Sequence, residues 1–111
     1  MAVHVQIICK GPEFLSQRDE LVFFEWLGRI KGVAFEGRGR DCIFSVQPAK
    51  LSEVSLREFI ALLYRFRLQM DSLAKLETQK NTAWFADPEI YWHKRVFKNP
   101  KKQRGSRDFA N

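Results

Sequence analysis

"VAFEGRGRDCIFSVQP", residues 33–48, decides the fold class. Val33 and Phe35 alternate with polar or small residues on one arm, and Cys42, Phe44 and Val46 do so on the other. Glycines 37 and 39 lie between the arms. Period-two alternation on both sides of a glycine-rich centre predicts a β-hairpin, and its tip carries Arg38 and Arg40. Upstream, "VHVQIICK" sets Val3, Val5, Ile7 and Cys9 against His4, Gln6, Ile8 and Lys10, the pattern of a half-buried strand. Gly11-Pro12 ends it, since proline has no N–H for a ladder. Between strand and hairpin, Ser16 stands three residues before Asp19 as a loose capping box. The following segment to Ile30 then gathers Val22, Phe23, Trp26, Leu27 and Ile30 on one helical stripe. Gly32 is the natural stop.

Downstream of Pro48, "LSEVSLREFIALLYRF" offers Ser55 and Glu58 at capping-box spacing, with Ser52 as an earlier alternative start. Leu56, Phe59, Ile60, Leu63 and Phe66 form its stripe; an unbroken helix would bring Arg67 into that stripe, so the helix ends or bends there. "DSLAKLETQ" predicts a short helix capped by Asp71 or Ser72, with Leu73 and Leu76 as its apolar pair and Asn81 at its exit. Asp87-Pro88-Glu89 predicts the start of a last helix: Asp caps, Pro fits the first turn and Glu suits the positive end of the dipole. On that helix Ile90, Trp92, His93, Val96 and Phe97 share one side, and Tyr91, Lys94 and Arg95 the other. Most of its aromatics therefore point inward.

The order is β-α-β-β-α-α-α, an α+β domain with a small three-stranded sheet and helices packed on it. The hairpin is antiparallel, and a right-handed crossover sets strands one and two parallel, or strand one beside strand three. The start resembles an incomplete ferredoxin-like unit, with no fourth strand evident. A chain of 111 residues, 45% hydrophobic, suffices for one core and not two. Of the net charge of +6, most is terminal: residues 98–111 hold five Lys and Arg against one acid, and residues 1–97 hold 14 against 12. The expected organisation is one domain over 1–97 and a basic, disordered tail over 98–111.

"MAVHVQIICK" lacks the features of a signal peptide and nowhere do eighteen apolar residues run together, so a cytoplasmic location is expected, with no membrane partner. Two cysteines without CxxC spacing suit a reducing compartment. Cys9 and Cys42 fall on apolar strand faces, where a thiol behaves as a small hydrophobe. His93 reads as a hydrogen-bonded core histidine. There is no nucleophile elbow, HExxH or phosphate loop, and Cys and His lack the short pair spacings of zinc sites. No catalytic residue, metal or cofactor is expected.

Two functions fit. The preferred one is a small non-catalytic protein-binding module, such as a bacterial inhibitor or toxin-immunity protein that blocks a partner. Its contact would be a second apolar strip on the first helix, Leu21, Phe24 and Gly28, which could also serve a homodimer or be covered by another helix of the same chain. The alternative is nucleic-acid binding through the hairpin-tip Arg38 and Arg40, through Tyr91, Lys94 and Arg95, and through Lys98, Lys101, Lys102, Arg104 and Arg107 of the tail. It ranks second because residues 1–97 are nearly neutral.

Overall fold

The computed structural model describes residues 3–38 and 41–97. Strands β1 (Val5–Lys10), β2 (Val33–Arg38) and β3 (Asp41–Val46) form one antiparallel sheet in the order β1-β3-β2. Because β3 runs against both neighbours, β1 and β2 are parallel to each other on either side of it, linked through α1 (Gln17–Gly28). Strands one and two are thus parallel while strand one also lies beside strand three, the arrangement of a split β-α-β unit. The alternation of the strands sets the register. Ile7 pairs with Phe44, which pairs with Phe35, and Cys9 pairs with Cys42. A slip of one residue would turn this whole set to solvent. Ile7, Cys9, Cys42, Phe44 and Val46 are fully buried beneath the helices, whereas Gln6, Ile8 and Lys10 on the other face of β1 are exposed.

Ser16 caps α1, its hydroxyl accepting from Asp19 N–H at 3.3 Å, and Phe23, Leu27 and Ile30 are buried. The stripe is narrower than its sequence pattern: Val22 is exposed and Trp26 half-buried. Helix α2 (Glu53–Arg65) takes the earlier start. Ser52 Oγ accepts from Ser55 N–H at 3.1 Å, so Ser55 lies within the helix and forms no capping box with Glu58. Leu56, Phe59, Ile60, Leu62 and Leu63 fill the core face of α2. Edge-to-face ring pairs tie sheet to helix, Phe44 on Phe59 at 5.3 Å between centroids, and helix to helix, Phe23 of α1 on Phe66 at the end of α2 at 5.3 Å.

In a complete ferredoxin-like unit a fourth strand would pair along the outer edge of β1. Here residues 69–75 close that edge without a strand. Gln69 N–H donates to Lys10 O at 2.9 Å and its side-chain oxygen accepts from Lys10 N–H at 3.4 Å. Ser72 Oγ accepts from Ile8 N–H at 3.2 Å, and Lys75 Nζ donates to Gln6 O at 3.1 Å. Each outward backbone group would otherwise template pairing with another chain. The segment Asp71–Leu76 is accordingly a 3-10 helix whose N-cap is Met70, not a helix capped by Asp71 or Ser72. Ser72 is spent on the strand edge. Leu73 and Leu76 are buried as expected.

The last third departs most from its sequence pattern. Thr78 and Asn81 exchange hydrogen bonds that open a short helix, α3 (Thr82–Phe85), where only a helix exit is expected at Asn81. Asp87 starts no helix: its carboxylate accepts from Glu89 N–H at 2.9 Å in a local turn, and successive turns carry the chain to α4 (His93–Phe97). The inward set nevertheless holds, with Trp92 and Val96 buried and Ile90 and Phe97 packed against the core. His93 is only half-buried and its Nδ1 has no hydrogen-bond partner among the described residues, contrary to expectation. No described helix is long and apolar enough to cross a membrane. The tail from Lys98 and the hairpin-tip Arg40 fall outside the described residues, as does the side chain of Arg38.

Candidate nucleic-acid interface

The C-terminus of α2 is built unusually. Leu68 N–H donates to Leu63 O at 3.0 Å and Arg67 N–H to Tyr64 O at 3.2 Å. This is the paired pattern of a Schellman motif, in which the residue after the C-cap adopts left-handed backbone and is most often glycine. Here that residue is Arg67, with φ of 63°. A left-handed side-chain-bearing residue costs about 1–2 kcal/mol relative to a right-handed one. The turn is further fixed from outside, because Glu13 N–H donates to Phe66 O at 3.0 Å and Gly11 packs against the backbone of Leu68.

That turn places a cluster no local pattern reveals. Tyr64, Arg65 and Arg67 from the end of α2 meet Tyr91 and Arg95 from the chain's end around an open pocket of about 710 Å³, closed on one side by Ala61. The volume is that of a small-ligand site. Tyr64 and Tyr91 pack edge to face at 4.8 Å, and Tyr91 makes a second such contact with Trp92 at 4.9 Å. About half of Tyr91 remains open to solvent. Burial, followed by the neighbouring Tyr64 hydroxyl, raises its phenol above the usual value against the opposing pull of Arg65. The ring therefore stays neutral at physiological pH.

The three arginines differ in freedom. Arg95 is fixed: its guanidinium donates to Leu68 O at 2.9 Å and Tyr64 O at 3.4 Å and lies 4.5 Å from the Tyr64 ring centroid. It thus bridges the carbonyls on both sides of Arg67. Arg65 stands 5.8 Å from the Trp26 ring. Arg67 reaches Glu13 only at 4.0 Å, with both side chains largely exposed, a pairing worth little. No carboxylate is among the pocket's described lining residues.

Of the residues expected to bind nucleic acid, Tyr91 and Arg95 line this pocket and Lys94 is exposed on α4 beside it in sequence. Tyr64, Arg65 and Arg67 were not foreseen; the signal was a basic residue standing where a helix exit calls for glycine. The apolar strip on α1 is not one continuous surface. Phe24 is half-buried, with its ring 5.1 Å from Phe23 and 5.2 Å from Phe35 of β2. Leu21 is 71% exposed, and Gly28 faces open space. A separate groove of about 460 Å³ runs between α1 and α2, walled by Val22, Trp26, Ile30 and Val54. Across it Trp26 Nε1 donates to Glu58 at 2.9 Å.

Neither cysteine is in a disulfide and both are fully buried, and no metal-binding group of His, Cys, Asp and Glu is found among the described residues. The chain matches no protein-family model, no curated protein and no solved structure at a significant level. The site's stability cost is measurable: Arg67→Gly removes the left-handed penalty of about 1–2 kcal/mol and adds back about 0.5–1 kcal/mol of glycine's chain entropy. The variant is expected to be about 0.5–1 kcal/mol more stable in urea denaturation. A loss of stability would show that the Arg67 side chain is there to hold the fold.

Proposed function

We propose that this protein is a non-catalytic binding module for nucleic acid, gripping phosphates with the Tyr64–Tyr91 pocket and the basic residues that follow it. The observation that carries this reading is Arg67, a cation kept in a backbone position that glycine fills more cheaply, at the mouth of an arginine- and tyrosine-lined pocket. Charge continuity supports it, since Arg95 at the pocket is followed within a dozen residues by Lys98, Lys101, Lys102, Arg104 and Arg107. Among the described residues, the outer face of β1 shows Gln6, Ile8 and Lys10 and no aromatic. Two buried cysteines outside any disulfide are compatible with a reducing, cytoplasmic setting.

Salt tests the proposal. Affinity for a labelled oligonucleotide should fall as a power of salt concentration, by about 0.7 per phosphate contact for a single strand and about 0.9 for duplex. Charge reversal of Arg65 and Arg67 to glutamate should weaken binding at least about tenfold, and truncation after Phe97 should flatten the slope by about one unit per lost contact. Binding insensitive to salt, or to the Arg65 and Arg67 reversals, would refute it. A protein partner is the second reading, favoured by the α1–α2 groove, where Val22 and Val54 are exposed at 42% and 71%. Such a complex would survive both salt and tail removal and fail with Val54→Glu.

A further inference from the structure

We infer that the pocket is selective for single strands, holding one unpaired base against the half-exposed ring of Tyr91 while Arg65 and Arg67 take the phosphates beside it. This rests on the nucleic-acid reading and narrows it. A surface that reads only phosphates needs cations and nothing else, and duplex meets it as well as single strand does. This pocket instead mixes cations with a tyrosine that is half open and held in place. Contacts to Tyr64 at 4.8 Å and Trp92 at 4.9 Å fix the ring's tilt before any ligand arrives, so little side-chain freedom is left to lose on binding. In a duplex the base faces are covered by their neighbours, and an aromatic set in a concavity cannot reach them. An unpaired base presents a whole π-face and stacks whatever its identity.

The arginines divide the labour. Arg95 is committed to the carbonyls of Tyr64 and Leu68 and keeps its place beside the Tyr64 ring, so it shapes the pocket's wall. Arg65 and Arg67 both line the pocket, Arg65 with its guanidinium 5.8 Å from the Trp26 ring and Arg67 with its own 4.0 Å from Glu13, so among the described residues neither is held by a backbone carbonyl as Arg95 is. Two cations lining one pocket with a neutral ring suit the phosphates of a strand bent around one base. An acidic peptide would satisfy the arginines and leave Tyr91 without a stacking partner.

The test uses the full chain and fluorescence anisotropy at about 0.15 M salt, with four probes: a twelve-nucleotide oligothymidylate, a duplex of the same length, the same single strand made wholly abasic, and polyglutamate as competitor. The single strand should bind at least about tenfold tighter than the duplex. The abasic strand and the Tyr91→Ala variant should each lose about 5- to 100-fold on the single strand, the effect of one base–aromatic stack. Tyr91→Phe should restore binding, because stacking needs the ring and not the hydroxyl. Equal affinity for single strand, duplex and abasic strand would overturn this inference while leaving the nucleic-acid reading in place. Salt-insensitive or absent binding to every oligonucleotide would remove that reading as well. Displacement by polyglutamate at equal charge concentration would assign the pocket to acidic protein segments and overturn both.

Discussion

Trp92→Ala is expected to destabilise the protein by about 3–5 kcal/mol, the range for emptying a large aromatic site in a packed core. Trp92 is 1% exposed and is the largest fully buried side chain of the described residues. Its indole N–H donates to Phe85 O at 2.8 Å, a buried bond that binds α4 to the end of α3. The ring also meets Trp84, Phe85 and Tyr91. Alanine removes the packing and leaves a buried carbonyl unpaired; Trp92→Phe keeps much of the first and should cost less, about 1–3 kcal/mol for the orphaned acceptor and the smaller ring. Urea denaturation followed by circular dichroism measures both. A cost below about 1 kcal/mol for alanine would mean that residues 84–97 are appended to the core and not part of it. Because Trp92 is one of the two walls against which Tyr91 is set, loss of oligonucleotide binding should accompany the loss of stability.

The same residues show which features a sequence discloses and which it hides. Strand faces are legible because the two-residue period reports burial directly: Ile7, Cys9, Cys42, Phe44 and Val46 all lie where alternation puts them. Helix boundaries are less so, since Ser52 and Ser55 both suit an N-cap and only packing selects Ser52. Asp87-Pro88-Glu89 misleads for a related reason: an aspartate accepting from the N–H two residues on is common to turns and helix starts, and the buried anchor Trp92 fixes where the helix begins instead. The arginine- and tyrosine-lined pocket was only partly visible. Tyr91 and Arg95 stood out as a basic aromatic patch, but Arg95 reaches carbonyls 27 and 31 residues away, a contact no periodicity encodes. The clash of Arg67 with the apolar stripe did forecast the end of α2, though not the left-handed turn that brings Arg65 and Arg67 to Tyr91. Ser72, Gln69 and Lys75 likewise look like ordinary surface residues until the open edge of β1 gives them their task.

Alkaline pH should destabilise the protein through Cys9. Its side chain is fully buried, opposite Cys42 on the core face of the sheet, and burial pushes the thiol up to about 12 from an ordinary 9.0, with Cys42, Asp71 and Asp41 adding to the rise and Lys75 opposing it. A folded-state value above the unfolded one means that the folded chain holds the proton more tightly. The resulting stability is fully present below about pH 9 and drains away as pH climbs toward 12, reaching about 4 kcal/mol in total, or about 2 kcal/mol by pH 10.5. Tyrosines and lysines titrate in the same window, so the informative quantity is the stability of wild type minus that of Cys9→Ala. Alanine cannot ionise, and the other groups contribute alike to both chains. That difference should fall by about 2 kcal/mol between pH 8 and pH 10.5 in urea denaturation. At pH 8 the native thiol should also react with a disulfide reagent no faster than the fold opens, because the reactive thiolate is almost unpopulated and the site is closed to solvent. A pH-independent difference, or labelling at the rate of an exposed cysteine, would mean that Cys9 is not the sealed, neutral side chain on which the centre of the sheet is built.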